Sequence, residues 1–267
     1  MASEVGDHTV AAHANAKGRE LAENLTRSIR MTAEQMKTEL IPSSADREDV
    51  DPSSTAIAFE PCQVEDVLPS ELIPATYDRA AARVRAIRSP DFKGNYTPYE
   101  LRILNAFISL SKFQVAFQLL STVLIGRRPQ GWRGWAEVVW GELRTPEYIG
   151  DMPHTWIGAE FSTTIRRMLL RENGSTLELF RAVPESWWNG EGIALHELPS
   201  AFGLVNLKAR RDRSQATIDL TLEGPASPHR ITLRYPGGQQ ARADGRACEI
   251  RGDIISAPNW KRLVIDF

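Results

Sequence analysis

Cysteine is scarce in this 267-residue sequence: Cys62 and Cys248 are the only two, and they lie far apart. Two thiols so spaced, with no second ligand pair nearby, point to neither a disulfide framework nor a thiolate metal site. Charge of one sign is just as scarce, since 32 Lys and Arg against 34 Asp and Glu leave a net charge of −2. Without an excess of cations there is no general attraction for phosphates, which argues against nucleic acid as a partner. A run of about 18 apolar residues is missing, and the start MASEVGDHTVAAHANAKGREL lacks a basic stretch followed by an apolar core. The expectation is a soluble, cytoplasmic chain with no membrane partner. What the sequence has in plenty is tryptophan: seven residues, four of them between Trp132 and Trp156. With 42% hydrophobic and 25% charged residues, the chain has room for one large or two modest domains.

The pattern predicts two such domains, a helical one over 1–172 and an antiparallel β-sandwich over 173–267. Leu21, Leu25, Ile29, Met36 and Leu40 recur at three- to four-residue steps, which reads as one amphipathic helix ended by Ile41-Pro42. A short buried segment, Ala56 to Phe59, follows with Ser54 or Thr55 as its cap. Pro69 to Arg88 reads as a second long helix. Thr97-Pro98-x-Glu100 combines a capping residue, a proline in the first turn and a carboxylate three positions on, the signature of a capping box. The helix it opens pairs with the run Val115 to Ile125 as a hairpin, and a last helix spans about Thr155 to Leu170. After Asn173-Gly174 the apolar period drops from about 3.6 residues to 2. TLELFRA, GIALHEL, LVNLKARR, ATIDLTLEG, HRITLRYPGG and RLVIDF alternate between turn formers, as sandwich strands do. Helices first and strands afterwards argue for segregated α+β domains rather than a parallel α/β sheet.

Chemistry-bearing residues concentrate at Gly131-Trp132-Arg133-Gly134-Trp135-Ala136-Glu137-Val138-Val139-Trp140 and Gly150-Asp151-Met152-Pro153-His154-Thr155-Trp156. Aromatic faces pack on the C–H face of a sugar ring, while carboxylates, His and Arg bond its hydroxyls. A plainer reading stands beside this one. The tryptophans can pack a core or a seam between domains, Glu137 can pair with Arg133, Asp151 can cap the last helix, and His154 can be a bonded structural residue.

The order Tyr96-Thr97-Pro98-Tyr99, Leu119-Leu120, Gly131-Trp132, Trp135-x-Glu137-x-x-Trp140 and Asp151-Met152-Pro153-His154-Thr155-Trp156-Ile157-Gly158 resembles the C-terminal half of six-hairpin (α/α) toroid glycoside hydrolases, in their α-L-rhamnosidase-like branch. The tail Pro184-Glu185-Ser186-Trp187-Trp188, Gly190-Glu191-Gly192 and Leu198-Pro199-Ser200-Ala201-Phe202-Gly203 is similar to the start of that family's β-sandwich. Trp-x-Glu stands here for the family's Trp-Glu, and Pro-His for its Asn-His.

The resemblance implies a partial (α/α) toroid followed by a sandwich, and a glycoside hydrolase cleaving terminal sugars of the rhamnoside, galactoside or glucoside type. It places Glu137 at the general base and Trp132, Trp135, Trp140, His154, Trp156 and Tyr96 at the substrate. The general acid has no equivalent upstream segment, so Asp49, Asp51, Glu100 and Asp151 are the local candidates, Asp51 and Asp151 first. No metal and no organic cofactor is implied. The inverting chemistry of such relatives places the two carboxyls roughly 6.5–9.5 Å apart, against roughly 5–5.5 Å for a retaining route. The alternative is a truncated, non-catalytic carbohydrate-binding or assembly module. Because a full ring has more hairpins than this chain, either reading predicts a homo-oligomer or a partner chain completing the ring. A third is a purely structural module with the tryptophans as a seam.

Overall fold

Helices fill the first part of the chain in the computed structural model, which describes residues 5–47, 49–127, 131–142 and 150–267. Helix α1 (His8–Met36) starts where Asp7 accepts the Val10 N–H at 3.0 Å. It ends at Lys37, whose φ of 50 is left-handed and whose N–H turns back to the Ala33 and Glu34 carbonyls. The stop therefore comes ahead of Leu40 and of the Ile41-Pro42 break that periodicity predicts. Its apolar stripe is largely in solvent, with Leu21 69% and Met31 62% exposed.

The next cap also differs from the sequence expectation. Helix α2 (Pro52–Thr55) is capped by Asp51, not by Ser54 or Thr55, because the Asp51 carboxylate accepts the Ser53 N–H at 2.9 Å and both serine hydroxyls. A 3₁₀ turn, Ala56–Ala58, continues it. Helix α3 (Ile73–Ile87) begins later than Pro69, with Pro74 in its first turn. From it Tyr77, fully buried, meets Phe59 edge-on at 5.4 Å and Phe107 at 6.3 Å.

Strand β1 (Asn95–Tyr96) leads into the 3₁₀ turn Pro98–Glu100 and helix α4 (Leu101–Ser109), which packs on α5 (Phe113–Gly126). Thr97 caps the turn, its hydroxyl accepting the Tyr99 N–H at 3.3 Å. The capping box is not completed: the Glu100 side chain turns inward and accepts from Arg83 Nε at 2.9 Å. Leu101, Leu104 and Phe107 of α4 are fully buried and centre the helical core. Strand β2 (Val139–Trp140) pairs antiparallel with β1, and helix α6 (Thr155–Leu169) follows. Among the described residues no helix is long and apolar enough to cross a membrane.

The chain divides into two compact units, Met1–Phe161 and Ser162–Phe267. The second is built from β3 (Leu170–Asn173), β4 (Thr176–Leu179), β5 (Ile193–Ser200), β6 (Gly203–Arg211), β7 (Gln215–Glu223), β8 (Arg230–Arg234), β9 (Gln240–Ala243), β10 (Arg246–Ala247), β11 (Glu249–Arg251), β12 (Ile254–Ala257) and β13 (Arg262–Asp266). One sheet runs β10-β9-β13-β7-β6-β5 and the other β11-β12-β8-β4-β3. Pairing is antiparallel except between β4 and β8. Alternation sets the faces: Ala216, Ile218 and Leu220 of β7 are buried, whereas Gln215, Asp219 and Thr221 face out. Residues from both sheets, Leu177, Ile231 and Ile255 with Val205, Ile218 and Ile265, share one apolar core. Gly203, at φ 110, has no room for a Cβ against the Glu223 carbonyl.

Candidate active site

Two loop segments, 131–137 and 150–154, lie side by side in the helical unit and are held by three hydrogen bonds. The Glu137 N–H donates to the Asp151 carbonyl at 3.2 Å, and the His154 N–H to the Trp135 carbonyl at 2.6 Å. The third comes from the side chain, as Glu137 Oε2 accepts the Asp151 N–H at 3.1 Å. Gly150 makes this closeness possible. Its φ is +69, and a Cβ there would lie 2.6 Å from the Glu137 Cβ.

The other Glu137 oxygen, Oε1, lies 3.9 Å from His154 Nε2, with the Glu137 side chain 32% exposed. The same His154 nitrogen is 2.7 Å from the Tyr99 hydroxyl, so His154 links the phenol to the carboxylate. Burial, and after it the Glu137 charge, push the Tyr99 phenol above its ordinary value, and Arg102 opposes them. Tyr99 therefore keeps its proton at neutral pH. Its ring stands edge-on to Trp156 at 5.4 Å. The Arg102 guanidinium lies 4.9 Å from the Tyr99 ring centre and 5.2 Å from that of Trp156. Glu160 closes the group, accepting from Arg102 Nε at 2.7 Å and from Trp156 Nε1 at 3.3 Å. Trp156 remains 57% exposed.

Of the residues singled out from sequence, Glu137, Asp151, His154 and Trp156 come together here. Trp135 lies beneath them, buried, with its ring 4.9 Å from Phe161 and the Arg127 guanidinium above it. Trp132 is exposed. Tyr96 and Trp140 belong elsewhere, lining a cleft of about 320 Å³ with Phe92 and Gly126. Tyr96 is buried there and its hydroxyl donates to the Thr122 carbonyl at 3.4 Å. Asp51 faces a different cavity, beside Glu100. Burial pushes its carboxyl up, but hydrogen bonds from Ser54 and Ser53 outweigh that and leave it below the ordinary range.

Tyr99, Arg102 and Glu160, outside the site that the sequence predicts, complete the arrangement. Their spacing carried a signal, since Tyr99 and Arg102 are three apart across the start of α4 and Trp156 and Glu160 four apart on α6, each pair on one helix face. A carboxylate about a third exposed, beside a histidine and an open indole, can accept a proton from water and hold a sugar ring.

The molecule thus belongs to the class that joins a helical unit to a two-sheet β unit, with a carboxylate-histidine-aromatic cluster in the helical part. That architecture is similar to an α-L-rhamnosidase structure from Dictyoglumus thermophilum, at a TM-score of 0.56 and 8% identity. The match covers 100% of this chain and 30% of that one. At such identity the likeness shows the fold alone. No family profile and no curated protein matches the sequence.

Proposed function

We propose that this chain forms part of a glycoside hydrolase of the six-hairpin toroid type, acting on terminal sugars with Glu137 as the general base. The observation that carries the reading is the setting of Glu137: one oxygen held by the Asp151 N–H, the other beside His154, and a third of the side chain open to solvent. In the step envisaged, a water oxygen attacks the anomeric carbon and gives its proton to Glu137. The glycosidic C–O bond breaks, and the leaving oxygen takes a proton from a second carboxyl group. Asp151, on the neighbouring loop, is the candidate for that acid. Trp156 supplies the sugar-stacking face, and Tyr99 and Arg102 hold its ring and His154 in place.

Rhamnosides come first among substrates because the structural neighbour is a rhamnosidase, although this chain spans only about 30% of that protein's length. Nitrophenyl glycosides of both anomers, including rhamnosides, galactosides, glucosides and uronides, test the proposal on the purified chain. Turnover abolished by Glu137→Gln supports it. Turnover indifferent to that change removes Glu137 from the mechanism, and sugar binding without turnover favours a non-catalytic module.

A further inference from the structure

Away from the Glu137 loops, a cavity of about 440 Å³ opens between the start of α2, α3 and the turn preceding α4. Its size lies within the roughly 300–1,000 Å³ typical of small-molecule sites. Val50, Pro52, Ala80 and Ile103 form its apolar wall, and Asp51, Ser53, Arg79, Arg83, Thr97 and Glu100 its polar lining. Glu100 is the informative group. Its side chain is only 7% exposed, Oε1 accepts from Arg83 Nε at 2.9 Å, and Oε2 is buried with no hydrogen-bond partner. A buried carboxyl oxygen left unbonded is costly, on the order of 1–3 kcal/mol or more, and a ligand hydroxyl would satisfy it. Burial foremost, with a smaller push from Asp51, raises the Glu100 carboxyl above its ordinary value despite Arg83.

The rest of the lining narrows the ligand. Arg79 is exposed and, among the described residues, has no ion pair. The Thr97 hydroxyl accepts from the Tyr99 N–H, leaving its own proton to donate. Two guanidiniums and two carboxyls nearly cancel in charge, which disfavours an anion placed beside Asp51 and a cation placed beside Arg79 and Arg83. Hydroxyls, which donate and accept at once, match walls carrying both kinds of group.

We infer that this cavity binds a neutral polyhydroxyl molecule the size of a single sugar ring, through Glu100 Oε2 and the Arg79 and Arg83 guanidiniums. The site is separate from the Glu137 cluster and stands whether or not that cluster is catalytic. The test titrates the full chain with D-glucose, L-rhamnose, myo-inositol and acetate while the arginine Nε–H resonances are followed by NMR. At least one of the three neutral probes is expected to bind at about 1 mM and to shift the Arg79 and Arg83 signals. Arg79→Ala, at an exposed position, should keep the fold and weaken binding about tenfold. Glu100→Gln, which preserves shape, should weaken it too, and Glu137→Gln should leave it unchanged. Binding of none of the neutral probes, binding of acetate alone, undiminished binding in Arg79→Ala, or loss in Glu137→Gln would each overturn the inference.

Discussion

At the residue scale, the Glu137 site rests on a glycine as much as on the carboxylate. Gly150 sits at φ +69 with the Glu137 side chain where its own Cβ would be. Gly150→Ala is expected to displace Glu137 and to destabilise the chain by about 1–3 kcal/mol. Comparing sugar turnover and thermal unfolding of the two proteins checks this, with turnover lost well below the variant's melting temperature. A second single-residue consequence concerns Tyr77, fully buried and 3.2 Å from the Thr55 hydroxyl. Burial, the dominant cause, pushes its phenol up from 10.0 to about 12. The folded state then holds the proton more tightly than the unfolded one. Its contribution is complete below pH 10 and is lost as pH rises from 10.0 toward about 12, by about 3 kcal/mol across that window. Denaturant unfolding measured on either side of it should show a larger loss in the wild type than in Tyr77→Phe.

Elements differ in how far their sequence announced them. Helices α3, α5 and α6 have apolar residues at helical spacing and a proline, a glycine or a loop at their ends, and these features are local enough to read directly. Lys37 is not such a feature. Its left-handed conformation ends α1 although nothing in its side chain demands it. Glu100 misled for a different reason: three residues after Thr97 it has the place of a capping-box carboxylate, but Arg83 on a separate helix draws it inward. A partner so distant in sequence leaves no mark on local pattern. Helix α1 makes the same point about burial, because periodicity identifies its stripe and cannot tell whether anything covers it. The contrast is measurable. Leu104→Ala in buried α4 is expected to cost about 2–5 kcal/mol, whereas Leu21→Glu on exposed α1 should fall within about 0.5 kcal/mol of the wild type; chemical denaturation of both variants decides it.

At the scale of the whole molecule, the passage from helices to strands comes ahead of the change of period at Asn173-Gly174, because β3 (Leu170–Asn173) already precedes that turn; the second unit has the two sheets and shared core that alternation implies. Sequence order also pointed to the two loops that hold Glu137, Asp151 and His154 and to the start of α6, which carries Trp156. It could not separate them from Tyr96 and Trp140, which lie close to the same motifs along the chain but line another cleft. The shape that matters is made by hydrogen bonds between segments 131–137 and 150–154, and no spacing rule encodes those. The proposed chemistry, proton abstraction from water, rests on the partly exposed Glu137 beside His154. The most direct measurement is turnover of a cleaved nitrophenyl glycoside by Glu137→Ala, with and without sodium azide. A base that activates water predicts a loss of about 10²–10⁴-fold that azide partly restores, since the anion attacks without needing its proton removed. Turnover in Glu137→Ala equal to the wild type, or no turnover of any glycoside by the wild type, would contradict it.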